Sequence, residues 1–145
     1  MSGRFTRRQR QVYNAVLRVF RQCVKNLVPG KLPKVWQQEA EQLVEAELVN
    51  LGLLSLRDIR RQEPGRPAFK KYFMHGTSHF LGLDVHDIGD RYMPMQEGMV
   101  FTCEPGIYIP EEELGIRLEN DILVTAQGPV DLMSSIPVEA GEIEQ

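Results

Sequence analysis

Apolar residues recur at three- and four-residue steps through the first fifty positions, then change to short runs broken by glycine and proline after residue 98. That change of period commits the chain to helices packed against strands. Tyr13, Val16, Leu17, Phe20, Val24 and Leu27 mark the apolar stripe of a first helix. Thr6-Arg7-Arg8-Gln9 has the form of a capping box ahead of it, and Pro29-Gly30 ends it. A second helix is expected from Leu32-Pro33 to Gly52, with Val35, Trp36, Ala40, Leu43, Val44, Leu48 and Leu51 inward. Arg57 to Lys71, with Pro64-Gly65 and Pro67, reads as a loop carrying a short helix at Leu56–Ile59. Met99 to Cys103 and Gly106 to Ile109 read as strand interrupted by Pro105, and Ile116 to Thr125 as one further strand. Glu111-Glu112-Glu113 before Leu114-Gly115 suits a hairpin tip. The predicted class is α+β, in one domain.

Size and charge narrow the possible partners. At 145 residues and 42% apolar content the chain can bury one core. A net charge of −3 gives no reason to expect nucleic acid as a partner. Arg7, Arg8, Arg10, Arg18 and Arg21 share the polar face of the first helix, where a solvated face is the simpler reading. No apolar run approaches the roughly 20 residues of a membrane span, and the first eight residues hold no apolar signal region, so the cytoplasm is expected. Cys23 and Cys103 are too few for a disulfide scaffold and read as buried thiols.

The chemistry-bearing residues are concentrated in two places. All three histidines, His75, His79 and His86, fall within twelve residues. His75 and His79, four apart, share a face in either a helix or a strand. A helical zinc-protease motif is a poor match, because Gly76 stands where that motif requires its glutamate and Gly76-Thr77-Ser78 favours no helix. Glu104 lies inside an apolar strand, and Glu119 lies in the alternation from Ile116 to Ile122. A carboxylate in a core strand must be paired, protonated or bound to a cation. A cross-strand partner for Glu119 stays open beside the metal reading.

His75-Gly76-Thr77-Ser78-His79-Phe80-Leu81-Gly82-Leu83-Asp84-Val85-His86-Asp87, Gly98 to Tyr108 and Gly115 to Asp121 resemble, in order, three motifs of the Xaa-Pro aminopeptidases. The resemblance runs from about Gly3 to the end of the chain. It implies a partial pita-bread fold, with helices packed on a curved, antiparallel-rich sheet. It also implies a two-metal centre, usually manganese with cobalt, zinc or iron as alternatives, acting on peptides with proline in second place. Carried over by position, His79, Glu104 and Glu119 would be metal ligands, Glu119 bridging both ions. His75 and His86 would line the substrate site, His86 toward the scissile carbonyl. Glu104 would also shuttle a proton, and Arg117 would orient a carboxylate.

The family's centre uses two further aspartates and another histidine, all ahead of the segment that Gly3-Arg4-Phe5-Thr6 resembles. Asp84, Asp87, Asp90 and Asp121 match other motif positions and read as turn caps or supporting hydrogen-bond groups. Residues 1–145 are thus expected to be the C-terminal portion of a catalytic domain, with partial or no metal occupancy. Either the chain is a fragment or truncated reading frame of an aminopeptidase, or it is a free-standing half whose aspartates a companion chain or self-association would supply. A non-catalytic binding module, or a peptidase resembling prolidase or methionine aminopeptidase, is the alternative.

Overall fold

Thr6 opens the first helix by the expected exchange. Its hydroxyl accepts from the Gln9 amide at 3.2 Å, and the Gln9 side chain accepts from the Thr6 amide at 2.8 Å. Helix α1 then spans Arg7–Lys25 and buries Val12, Val16, Val19, Phe20 and Cys23 along one stripe. The computed structural model describes residues 3–145, so the polar start at Met1-Ser2 lies outside the described residues.

Helix α2, Pro33–Asn50, begins with proline at its first turn, where the missing N–H costs nothing. Trp36, Ala40, Val44 and Leu48 face α1, and the Trp36 indole donates to the Cys23 carbonyl at 2.9 Å. Val35 does not turn inward as expected and is 42% exposed; Leu43 and Leu51 are only half-buried. The inward stripe is narrower than an amphipathic reading supplies, because α2 packs on a single neighbouring helix. The basic face of α1 is solvated as expected, with Arg7, Arg10, Arg18 and Arg21 exposed, and it also carries ion pairs. Arg8, Arg10, Arg18 and Arg21 meet Glu112, Glu144, Glu47 and Glu139.

Helix α3, Leu56–Arg61, and a 3-10 turn at Ala68–Lys71 lead into five short strands. These are β1 Val100–Cys103, β2 Gly106–Ile109, β3 Leu114–Arg117, β4 Asn120–Leu123 and β5 Val130–Asp131, followed by the single-turn α4, Ala140–Ile143. The single strand expected from Ile116 to Thr125 is two strands in two sheets. β3 pairs with β2, whereas β4 pairs with β1 and β5. Pro105 lacks the N–H that would continue the ladder, so the long hairpin kinks at Glu104-Pro105 and opposite it at Leu118-Glu119. Its tip is a 3-10 turn at Pro110–Glu112 closed by Glu113 at φ 50°.

One face of this kinked hairpin makes the core. Phe101, Cys103, Ile107, Ile109 and Ile122 are buried there, against α1. The opposite face is the polar one, and it carries the candidate site. Among the described residues no helix is long and apolar enough to cross a membrane.

Candidate metal centre

The polar face follows from register alone. Cys103 pairs with Asn120 and Gly106 with Arg117, so pairing resumes after the kink without a slip. Glu104 therefore falls opposite Glu119. On the other edge of β1, Phe80 bridges Phe101, the Thr102 amide donates to the His79 carbonyl at 3.1 Å, and the Glu104 amide donates to the Thr77 carbonyl at 2.8 Å. His79 thus lies opposite Thr102, and Thr77 opposite Glu104. Side chains alternate along each segment, which places Thr77, His79, Thr102, Glu104, Gly106, Tyr108, Gly115, Arg117, Glu119 and Asp121 on one face.

On that face His79, Glu104 and Glu119 each bring one donor atom within 4.8 Å of the other two. The His79 ring is held in one orientation. Its Nδ1 is 2.9 Å from the Phe80 carbonyl, which can only accept, so Nδ1 carries a proton and Nε2 is the atom turned toward the carboxylates. Nε2 stands 3.7 Å from Glu104 Oε1. Two carboxylates directly across a strand pair repel one another unless positive charge lies among them. Arg117 supplies some, 3.6 Å from Glu104 Oε2 and 3.6 Å from Glu119 Oε2. His79 and Glu104 side chains are only 16% and 14% exposed, against 38% for Glu119 and 49% for Arg117.

A divalent cation suits this donor set. One imidazole and two carboxylates make a nitrogen–oxygen site of the borderline-to-hard kind. With metal–ligand bonds of about 2.0–2.2 Å, neighbouring donors in one shell stand about 3 Å apart, so the three atoms close on an ion by small side-chain rotations. Three donors leave an ion's shell unfilled.

The other expected site residues are distributed around this cluster. The exposed His86 ring meets His79 edge-on with centroids 4.3 Å apart. His75 stands apart from the three donors and hydrogen-bonds Tyr108 at 2.9 Å. Asp87 accepts from the Leu83 and Ile88 amides, and Asp90 from the Tyr92 amide, which are the turn-capping roles expected of them. Asp84 and Asp121 are outside the donor cluster.

Sequence reasoning missed the residues that hold the donors in place. The Thr102 hydroxyl accepts from the His79 amide at 3.0 Å and lies 3.5 Å from Glu104 Oε1, linking the two ligand-bearing segments. Gln37 of α2 accepts from the Thr77 amide at 2.8 Å and ties the histidine segment to the helical layer. The Thr77 hydroxyl is buried without a protein hydrogen-bond partner. Counting by twos outward from Glu104 would have marked Thr102 and Tyr108; no sequence pattern marks Gln37.

Helices cover one face of the two sheets, and an open cluster of groups that could hold a metal lies on the other. The chain belongs to metallopeptidase family M24, whose profile matches residues 1–126. It is similar to Xaa-Pro aminopeptidase 3 of Homo sapiens, 38% identical over 100% of this chain and 30% of that protein. It is 37% identical to the Xaa-Pro aminopeptidase of Escherichia coli strain K12 over 99% of this chain and 35% of that protein. A solved E. coli aminopeptidase P with the inhibitor Pro-Leu superimposes with a TM-score of 0.85 at 36% identity, covering 98% of this chain and 35% of that one. The fold is accordingly the pita-bread type, with helices and open antiparallel sheets. The chain spans about a third of the length of the relatives it matches.

Proposed function

We propose that residues 1–145 form the C-terminal portion of a pita-bread catalytic domain that removes an N-terminal residue linked to proline. The convergence of His79 Nε2 with the opposed carboxylates of Glu104 and Glu119 carries this reading. Those three side chains would hold the metal, Glu119 between two ions. The oxygen-rich donor set with one imidazole favours manganese over thiolate-seeking ions. When bound, a pair of divalent ions about 3.5–4 Å apart would activate water as nucleophile and stabilise charge developing on the peptide carbonyl.

The chain's own residues would perform the remaining work. Arg117 orients both carboxylates, and the Phe80 carbonyl keeps His79 in the tautomer that presents Nε2. Glu104 is the group to carry a proton from the attacking water to the leaving proline nitrogen, since its carboxylate is the less exposed of the two. His86, which meets the His79 ring edge-on, would hold the scissile carbonyl, and His75 would line the substrate site. Proline at the second position removes the N–H of the scissile bond and fixes a ring shape that a pocket can read. Further donors would come from beyond these residues, by a companion chain or a second copy. The cytoplasm is the compartment of this reading, in keeping with two free, buried cysteines.

Elemental analysis after equilibration with manganese tests the metal half of the reading. Up to one ion per chain, lost in His79→Ala and Glu104→Gln, is expected. Two tightly held ions would contradict a centre that needs outside donors, and none at millimolar manganese would count against the cluster as a metal site. Mixing the chain with the N-terminal half of a relative and assaying an Xaa-Pro peptide tests the rest. Continued absence of cleavage, with metal bound, would remove the peptidase half.

A further inference from the structure

His75 differs from His79 in having both ring nitrogens already engaged. Its Nδ1 lies 2.6 Å from the Gly76 carbonyl and its Nε2 lies 2.9 Å from the Tyr108 hydroxyl. The carbonyl can only accept, so Nδ1 carries a proton, and the Tyr108 hydroxyl is the hydrogen-bond partner left to Nε2. The Tyr108 pose is built into the hairpin. Tyr108 pairs across the strands with Gly115, and Gly106 stands two residues before it on the same face. A Cβ at Gly115 would come 2.9 Å from Tyr108 Cδ1, and one at Gly106 would come 2.9 Å from the phenol oxygen. Neither glycine has the positive φ that would make glycine a backbone requirement, so what both supply is room for the tyrosine ring to lie flat across the sheet. On its other side His75 packs edge-on against the fully buried Phe73, centroids 4.9 Å apart.

We infer that Tyr108, cradled by Gly106 and Gly115, is the positioning residue of His75: it holds that imidazole in one tautomer and one plane. Four residues separate His75 from His79. Without the phenol, His75 Nε2 would lose its hydrogen-bond partner and the ring would be free to turn. With it, one ring is fixed at a defined place outside the donor cluster. The relevance to peptide cleavage rests on the aminopeptidase reading above, but the hydrogen-bond assignment does not.

Nitrogen-15 NMR of the imidazoles in the 145-residue chain tests the assignment. His75 should show a single Nδ1–H form whose Nε2 resonance carries the signature of a hydrogen bond to the phenol. Tyr108→Phe, which keeps the ring and removes one oxygen, should shift that Nε2 resonance to the position of a free acceptor. Gly115→Ala should give the same shift with the tyrosine still present, because its Cβ displaces the ring. Tyr92→Phe, at an exposed tyrosine, should change nothing. Added zinc should move the His79 resonances and leave His75 alone, both in the parent chain and in Tyr108→Phe. An Nε2 resonance indifferent to Tyr108→Phe, or a His75 that responds to zinc in the parent chain, overturns the inference. If Gly115→Ala fails to fold, Tyr108→Phe decides by itself. A chain in which zinc moves neither histidine defeats the metal reading while leaving the His75 resonances to judge the tyrosine.

Discussion

Replacing Glu119 with glutamine separates a metal ligand from a structural ion pair, because the two roles predict different signs. In the metal-free chain Glu119 faces Glu104, with donor oxygens no more than 4.8 Å apart, and also meets Arg117 at 3.6 Å. Glu119 and Arg117 are both more than a third exposed, so water screens each interaction heavily. With the dielectric near that of water, the repulsion and the attraction are each about 1 kcal/mol and oppose one another. Glu119→Gln removes both, and the metal-free stability should change by less than about 1 kcal/mol. A bound ion alters the comparison. At a metal concentration one hundred times its dissociation constant, binding to the native state alone adds about 2.7 kcal/mol. For a chain of this length that is a rise of roughly 10 °C in the unfolding midpoint.

The assay is thermal unfolding with a chelator and then across a manganese series. The parent chain should climb with metal, whereas Glu119→Gln should start from nearly the same midpoint and climb far less. A variant that climbs as far as the parent removes Glu119 from the donor set. One that loses 3 kcal/mol or more without metal would show that the Arg117 contact, and no metal, explains the carboxylate.

Other perturbations test the frame around the site. Leu48→Ala, at a position with no exposure on α2, should cost about 2–5 kcal/mol and lower the urea midpoint without changing the slope. Arg8 grips Glu112 through two 2.7 Å hydrogen bonds and holds its carboxyl below the ordinary 4.5. That contribution is complete above about pH 4.5 and lost as pH falls through the depressed value, so Arg8→Ala should lower stability more at neutral than at acid pH and thereby flatten the acid decline. Cys23 and Cys103 are buried, and burial pushes the Cys103 thiol up, so a thiol reagent should label neither in the native chain and both after denaturation.

Much of the fold was legible because its signals are local. The capping box at Thr6, the proline start of α2 and the acidic tip at Glu111–Glu113 each act within four residues, and each stands where its sequence says. The misreadings are all tertiary. Ile116 to Thr125 alternates as one strand would, yet Pro105 on the opposite strand breaks the ladder and sends its two halves into different sheets. Val35 belongs to the apolar pattern of α2 but has no second layer to pack against. The arginines of α1 are exposed as their sequence suggests, but no local pattern shows that acidic residues of the hairpin tip and C-terminus arrive from more than a hundred residues away to pair with them. The three metal donors were named through resemblance. Their convergence is nevertheless in the sequence, since counting back from the hairpin tip places Glu104 opposite Glu119.

The distribution of exposure across the polar face indicates where completion must come from. Thr77 and Thr102 are buried, His79 and Glu104 are partly covered, and Glu119 and Arg117 are open. On the covered side the backbone bonds between residues 77–81 and β1 leave no gap for another chain segment. The open part of the face is therefore the Glu119 side, toward the ligand that the two-ion reading makes the bridge. A carboxylate arriving there on a bare face would meet two like charges already opposed. It becomes favourable only with a divalent cation, which reverses the sign of every interaction in the cluster. Completion of the site and metal loading should thus be one coupled event. A companion half should bind this chain at least tenfold more tightly with manganese than with a chelator, and equal affinity under the two conditions would break the coupling.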